Sequence, residues 1–368
     1  MVSTMTNFFD ARREFALPGG VYNATPSRVI FGAGSLARVA DAVEAYGAKR
    51  AVVISTPGRS GLAQRVADLL GDRCCGIIPE AVSQVPIELA IRGRGLAADL
   101  KADCIVSAGG GASVGLGKGI ALEYAKPIVA IPTTYSGSEM TGFCGITIDG
   151  VKRMHKSLNM LASTVIYDPE LSVGLPVDVS MASAMNALAH CVDAIYVSTV
   201  SPLIVGSAYE GAAVLAKAMP RVAASPGDVG ARTDLLYGAF LGGAALTGGF
   251  ALQHGVAHVL GGSFGIAHGL SHALVLPHVA AYNARHAPRE MKRLADAMGV
   301  DNVGAALFDL MVGVGLPASL KEVGFDRGNI ERAAQITVET DNGLNPGPVT
   351  IEGVRALLED AYAGRRPA

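Results

Sequence analysis

Charged residues are scarce in this chain of 368 residues, and neither sign predominates. Asp, Glu, Lys and Arg together make up 17% of the residues, and the formal net charge is −2 at pH 7. Nucleic acids and anionic membranes attract proteins with a surplus of Lys and Arg. We therefore expect neither as a partner. Hydrophobic residues make up 50% of the chain, and its length allows two domains with sizeable cores.

Cysteines are few, scattered and odd in number. The five thiols include no C-x-x-C motif, and a disulfide between the adjacent Cys74 and Cys75 would be strained. This usage is typical of a reducing compartment. Residues 1–15 carry charges where a secretory signal peptide needs an unbroken apolar core. We therefore expect no export and a cytoplasmic location.

Residues 235–284 contain no Asp, Glu, Lys or Arg, and a stretch of that length could hide a membrane span. Five of the eight histidines fall within it, however, and glycines recur every few residues. The apolar surface that lipid requires is therefore not continuous. We interpret the stretch as a pair of helices buried in a soluble protein.

The pattern of secondary structure changes near Asp168. Before it, short β-branched runs alternate with helix-length segments, and the predicted strands are residues 28–32, 51–55, 75–79, 104–108, 127–132 and 164–168. After it, helices are predicted at about 179–198, 203–221, 233–246, 253–261 and 271–285, with shorter ones following. We predict an α/β Rossmann-like domain with a mostly parallel sheet over residues 1–168, and an all-α domain over residues 169–368.

A glycine-rich turn follows the fourth predicted strand. The run SAGGGASVGLGK, residues 107–118, leads from a buried strand into a helix, although it has the spacing of neither a P-loop nor G-x-G-x-x-G. Glycines let the backbone approach a ligand closely, and the free N–H groups of a helix start bind phosphate. A glycine-rich turn without a ligand is the alternative. The candidate cofactor contacts here are Gly109, Gly110, Gly111, Ala112, Ser113 and Lys118.

A second polar loop, IPTTYSGSEMT, follows the next strand at residues 131–141. Because the carboxyl ends of parallel strands meet at one edge of a sheet, the two loops would frame a dinucleotide crevice. Its candidate contacts to ribose, phosphate or nicotinamide are Thr133, Thr134, Ser136 and Ser138. Thr56 follows the second strand where an acidic residue would repel a 2′-phosphate, so either NADH or NADPH is expected.

Lys152 lies beyond these loops and is a further candidate contact to the nicotinamide; a solvated surface lysine is the alternative. Histidines then cluster at helical spacing, and side chains four residues apart share one helix face. The pattern H-x3-H-x9-H that begins at His254 is typical of a divalent metal site, and buried core histidines are the alternative. Three pairs have this spacing, namely Asn186/His190, His254/His258 and His268/His272.

Together these segments resemble the iron-containing alcohol dehydrogenase superfamily over nearly the whole chain. The matching residues are 109–118, 132–141, 167–169, 186–190 and 254–278. The resemblance implies the fold that these enzymes share with dehydroquinate synthase. It also implies a metal site, in which Asn186 stands where the superfamily has a carboxylate and Ala267 where it has a proline. The implied ligand positions are Asn186, His190, His254 and His268.

Asn186 sets this chain apart from the metal-binding members. An amide brings only a dipole to a cation, so three imidazoles and an amide would leave a divalent ion uncompensated in a buried cavity. We therefore expect no bound metal. The segments NALAHCVDAIY, ASVGLGK and NPGP resemble the maleylacetate reductase branch, in which Gly115 replaces an aspartate. That branch implies NAD(P)H-dependent reduction of the alkene of maleylacetate to 3-oxoadipate in aromatic degradation, and a homodimer.

A dicarboxylate substrate of this kind needs a donor for the charge that develops on its ketone oxygen. His254 and His258 are the expected donors, and His268 and His190 would bind carboxylates or complete the network. We predict that the helices around this cavity carry no acidic residue, which suits a dianion. The alternatives are a metal-dependent alcohol or polyol dehydrogenase, a lyase like dehydroquinate synthase, and a dinucleotide sensor without catalysis.

Overall fold

The computed structural model describes Pro26, residues 28–197 and residues 200–368. The N-terminal residues 1–15, on which the prediction of no export rests, and Ser198, the last residue of the helix predicted at 179–198, lie outside the described residues. Within the described ranges the chain forms eight strands and thirteen α-helices.

Six parallel strands form one sheet, as predicted, and each begins and ends within one residue of its predicted bounds. The strands are numbered by their order along the chain, in which the sixth and seventh belong to a separate hairpin. Across the sheet they lie in the order 1-8-5-4-2-3. Strands two, four, five and eight are buried along their whole length, which explains their continuous Val and Ile content. The strands are β1 (Arg28–Phe31), β2 (Ala51–Ile54), β3 (Cys74–Ile78), β4 (Cys104–Gly109), β5 (Ile128–Pro132) and β8 (Thr164–Tyr167).

Four helices cover this sheet. Because side chains alternate along a strand, Val53 and Val106 pack on one face with Val66, whereas Val52 and Ile105 face the core that continues into the helical half. The helices are α1 (Val39–Glu44), α2 (Ser60–Leu70), α3 (Ile87–Asp99) and α4 (Gly111–Ala121).

An antiparallel hairpin of β6 (Phe143–Ile148) and β7 (Val151–Lys156) was not predicted from the sequence. Asp149 and Gly150 form its two-residue turn with φ values of 51° and 75°. An Asp-Gly pair with both φ angles positive is favoured in such turns. The hairpin carries Lys152 to the sheet edge where the polar loops lie.

Helices alone follow β8 in the described part of the chain, which confirms the predicted all-α second half. The boundary at residues 168/169 stays a prediction. Within the described ranges, no helix is both long and apolar enough to cross a membrane. The helices are α5 (Val177–Ala194), α6 (Pro202–Ala224), α7 (Val229–Leu246), α8 (Leu252–Phe264), α9 (His268–Asn283), α10 (Pro288–Met298), α11 (Val303–Gly313), α12 (Ile330–Glu339) and α13 (Ile351–Ala363).

Arg232 on α7 connects the helices to the loop that follows β5. Its side chain is completely buried and donates to the hydroxyls of Tyr135 (3.0 Å) and Ser180 (2.7 Å). It also donates to the carbonyl oxygens of Leu175 (3.1 Å) and Pro226 (2.9 Å). Protein oxygens thus replace the water that the guanidinium loses on burial, and the loop is held against the helical half.

Candidate active site

The two polar loops lie side by side, because β4 and β5 are neighbours in the sheet. The Thr133 N–H donates to the carbonyl of Gly109 (3.1 Å). Gly109 has φ 142°, and a Cβ there would lie 2.4 Å from Ser113 Oγ. At Gly110, a Cβ would lie 2.9 Å from the methyl group of Thr134. Glycine at position 110 therefore allows the two loops to approach this closely, whereas glycine at position 109 allows the backbone to turn into α4 beside Ser113.

Helix α4 begins at Gly111, and its N-cap residue Gly110 has no side chain to cap it. The first N–H groups of a helix have no partner within the helix and favour anions. At Gly117, a Cβ would lie 2.0 Å from Ser107 Oγ, so the helix packs directly on β4. This arrangement gives the glycine-rich turn the geometry of a phosphate site.

A cavity of about 470 Å³ opens between this sheet edge and helices α5, α8 and α9. It brings together residues from both halves of the chain. Asn186 also lines it. Its wall holds six of the twelve candidate cofactor contacts and all four candidate histidines, which are Gly111, Ala112, Thr134, Ser136, Ser138, Lys152, His190, His254, His258 and His268.

The other six candidate cofactor contacts do not line this cavity. Among them, Lys118 is buried, and its ammonium donates to Thr141 Oγ1 (3.1 Å), to the Phe143 carbonyl (3.0 Å) and to the Ser138 carbonyl. Burial lowers the pKa of Lys118 to about 8. Lys118 therefore holds the second polar loop, and its contact with a cofactor stays a prediction. The six are Thr56, Gly109, Gly110, Ser113, Lys118 and Thr133.

Five imidazole rings form one continuous cluster. The rings of His190 and His254 are nearly parallel, with centroids 5.2 Å apart, and those of His254 and His258 are 5.8 Å apart. His272, which does not line the cavity, packs 4.8 Å from both His254 and His268. Burial and the neighbouring imidazoles hold the pKa values of His190, His258 and His272 well below the usual value. These three histidines are therefore neutral at pH 7.

An acidic residue stands behind the cluster, so the prediction that these helices carry none is wrong. Asp193 lies on α5 three residues after His190 and is completely buried. Its Oδ2 is 2.7 Å from Nδ1 of His254 and accepts from the N–H groups of Ala251 (2.9 Å) and His254 (3.2 Å). Its Oδ1 accepts from the Tyr196 hydroxyl (2.7 Å). The i, i+3 spacing from His190 was the signal that could have revealed it.

Several buried polar atoms of the cluster have no hydrogen-bond partner among the described residues. They are Asn186 Oδ1, His190 Nδ1, His254 Nε2 and both ring nitrogens of His272. Buried polar groups are normally hydrogen-bonded, and an unpaired one costs about 1–3 kcal/mol. The cluster is thus an incomplete network that a polar ligand or ordered water would complete.

Lys152 lies at the mouth of the cavity, where its side chain crosses Gly145 on the neighbouring strand. It is exposed, yet desolvation by the surrounding protein lowers its pKa. Burial, the charge of Lys152 and then His254 lower the pKa of His268 to about 4. Among the described residues that line this cavity, Lys152 is the only lysine or arginine.

Known proteins match this chain along most of its length. The family model described as "Iron-containing alcohol dehydrogenase" matches residues 26–169, and that described as "Fe-containing alcohol dehydrogenase family, C-terminal" matches residues 180–362. The chain belongs to the iron-containing alcohol dehydrogenase family. It is therefore an oxidoreductase, and its fold is that of the family.

Within the iron-containing alcohol dehydrogenases, the similarity is uneven. A maleylacetate reductase of Burkholderia cepacia is 45% identical over 95% of this chain and 99% of its own length. The crystal structure of maleylacetate reductase from Agrobacterium tumefaciens superposes with a TM-score of 0.90 at 39% identity, covering 95% of this chain and 99% of that one. A 1,3-propanediol oxidoreductase structure has a TM-score of 0.87 but 25% identity, covering 93% of this chain and 100% of that one.

The iron that gives this family its name is not suited to the residues present here. Asn186 supplies an uncharged oxygen, and Asp193, the carboxylate beside the cluster, is bonded to His254. Across the described ranges, no three His, Cys, Asp or Glu side chains are grouped so that they could hold an ion. The donor set would leave the charge of a divalent cation uncompensated.

Proposed function

We propose that the chain reduces the alkene of maleylacetate to 3-oxoadipate with NADH or NADPH, without a metal, in the degradation of aromatic compounds. The observation that carries the proposal is the joint cavity, in which imidazoles with unpaired nitrogens face the glycine-rich turn. The similarity to maleylacetate reductases supports the same substrate. Bound NAD(P)H would supply the hydride for the carbon β to the ketone and would leave as NAD(P)⁺.

That transfer breaks the π bond of the alkene and moves an electron pair onto the ketone oxygen. A donor at this oxygen stabilises the enolate, and a proton from one of the histidines or from water then adds to the carbon next to the ketone. We assign the donor role to His254, because the carboxylate of Asp193 holds its ring through Nδ1 and its Nε2 has no partner among the described residues. His258 is the second candidate, while His190 and His268 would contact carboxylates.

The cofactor would lie along the sheet edge, with its phosphates at the uncapped start of α4. Thr134, Ser136 and Ser138 would bond the ribose or nicotinamide, and Lys152 would approach the nicotinamide from the rim. Thr56 follows β2 at the same edge and carries no negative charge that would repel a 2′-phosphate. Dual use of NADH and NADPH therefore belongs to the proposal.

Loss of NADH absorbance upon addition of maleylacetate, with and without a chelator, tests this function. We expect turnover to survive chelation, and His254→Ala to lower kcat by about 10²–10³. His286→Ala, which removes an exposed histidine outside the cavity, is the matched control and should be neutral. Stoichiometric iron or zinc whose removal abolishes turnover would instead favour an alcohol or polyol dehydrogenase. Near-normal turnover in both His254→Ala and His258→Ala would overturn the roles assigned here.

We also propose that two copies of the chain form a homodimer in the cytoplasm, without a nucleic-acid or membrane partner. Strand β1 lies at the edge of the sheet, and an apolar cavity of about 460 Å³ beside it is lined by Val29, Phe240 and the exposed Leu203. Unpaired strand edges and exposed apolar surface favour association. The five cysteines of the chain are all free thiols, which suits a reducing compartment. Sedimentation velocity and cell fractionation test the two statements.

A further inference from the structure

A second cavity leads from the histidine site towards the start of helix α9. Its volume is about 430 Å³, and it shares Ser136, Val179, Ser183, Asn186 and His268 with the first cavity. Beyond these shared residues it is lined by the first turn of α9 and by a loop around Leu316. A ligand in the histidine site can therefore extend into this space.

Helix α9 begins without a side-chain cap. The N-cap residue is Ala267, whose methyl group cannot accept a hydrogen bond. Ser271 is the first residue whose N–H is used, by the Ala267 carbonyl (2.9 Å). The N–H groups of His268, Gly269 and Leu270 find no acceptor among the described residues, and all three residues line the second cavity. The start of a 16-residue helix carries partial positive charge, which favours an anion.

Asn186 points independently to a polar ligand in the same place. It is only 2% exposed, it lines both cavities, and its Oδ1 has no partner in the described structure. A primary amide can present either its oxygen or its N–H groups to a ligand. Because Asn186 is neutral, it adds no negative charge that would repel an anion beside it.

Two further side chains define the chemistry of this space. Ser183 Oγ accepts from the Tyr135 N–H (3.1 Å), so its own proton is available to a ligand. Asp178 lies at the rim, but it is exposed, and solvent screens its charge. At the start of α9, His268 is exposed like Asp178 and Gly269 and Leu270 are half-buried, whereas Asn186 is buried beside them.

We propose that the second cavity is a subsite for one carboxylate of the substrate, bound by the N–H groups of His268, Gly269 and Leu270. The inference rests on the proposed function. It adds to that function the place where the protein binds the carboxylate that is remote from the reacting carbons. The histidine cluster then faces the ketone and alkene. Selection for a dianion thus comes from a helix start.

Ala267→Asp tests the subsite, because an N-cap aspartate would bond the same N–H groups and place a negative charge where the carboxylate binds. An N-cap acceptor also stabilises a helix, so the variant is expected to fold. We expect the KM for maleylacetate to rise about tenfold or more, while the KM for NADH stays unchanged. Ala267→Asn, which caps the helix without charge, is the matched control and should raise the KM for maleylacetate much less.

Calorimetric titration of each protein with glutarate, in the presence of NAD⁺, separates the subsite from the reaction. We expect glutarate to bind the wild type and Ala267→Asn more tightly than Ala267→Asp. An unchanged KM for maleylacetate and unchanged glutarate affinity in Ala267→Asp would overturn the subsite, as would an equal rise in the KM for NADH. A wild type that binds glutarate but does not turn over maleylacetate would instead overturn the proposed function and leave the subsite supported.

Discussion

At the scale of single residues, the contact between Asp193 and His254 decides which ring nitrogen faces the cavity. The carboxylate accepts from Nδ1, so a neutral His254 presents the lone pair of Nε2, and a protonated one presents an N–H. Burial keeps neighbouring rings such as His190 and His272 neutral. Asp193 therefore distinguishes one histidine from others that have the same spacing in the sequence.

Asp193→Asn keeps the size of this side chain but removes its charge and lets an amide N–H face Nδ1. We expect kcat to fall about 10- to 100-fold, with little change in the KM for NADH. The ¹⁵N chemical shifts of His254 should show that the ring proton has moved from Nδ1. Tyr196→Phe, which removes only the bond to Oδ1, should have a smaller effect. Wild-type kcat in Asp193→Asn would contradict the positioning role.

His278 allows a test of acid stability outside the active site. It is 6% exposed, and burial lowers its pKa from 6.5 to about 4, against a smaller opposing effect of Asp360. As the pH falls, His278 therefore binds a proton in the unfolded chain at a higher pH than it does in the folded protein. The contribution of neutral His278 to stability is complete above pH 6.5 and is lost as the pH falls towards 4.

We expect His278→Gln to flatten the acid-side decline in the free energy of unfolding. Each proton taken up on unfolding adds about 1.4 kcal/mol per pH unit to that decline. Urea unfolding of both proteins at several pH values between 6.5 and 4 measures the two slopes. Equal slopes would show that His278 takes up no proton on unfolding in this range.

At the scale of elements, the glycine-rich turn depends on a backbone conformation that other residues rarely adopt. Gly109→Ala places a Cβ 2.4 Å from Ser113 Oγ at a φ of 142°. We expect a loss of about 1–3 kcal/mol in stability and at least tenfold weaker NADH binding, because the start of α4 must shift. Gly95→Ala, in an open position on α3, should be neutral or slightly stabilising. Fluorescence titration with NADH and thermal unfolding measure both effects.

The buried strands and helices were predictable from the sequence. The exposed hairpin and the contacts between residues distant in the chain were not. Fully buried strands such as β4 have continuous apolar runs bounded by turns, which the sequence displays directly. Strand β7 is largely exposed and carries Lys152, Arg153 and Lys156, so it has no apolar alternation to reveal it. The helical spacing of the histidines predicted that they cluster. The contact between Asp193 and His254 joins residues that are 61 positions apart in the chain, so no local pattern reveals it.

At the scale of the whole molecule, Arg232 is a buried connection between the helices and the loop after β5. Arg232→Met would leave several buried oxygen acceptors without a donor, including those of Tyr135 and Leu175. We expect the free energy of unfolding to fall by on the order of 3 kcal/mol. Arg221→Met, which removes an exposed ion pair with Asp234, should cost at most about 1 kcal/mol. Chemical denaturation measures both, and equal effects would contradict the connecting role.

The loop after β5 also contacts α7 through two glycines. A Cβ on Gly137, which has φ 70°, would lie 2.7 Å from the Cα of Gly243 and 3.2 Å from His190 Nδ1. Neither residue has a side chain to trim, so every substitution at this crossing adds atoms and none removes them. A single methyl group there would push the backbones of Gly137 and Gly243 apart, next to the ring of His190. Sequence change at this point can separate the two halves of the chain but cannot draw them closer.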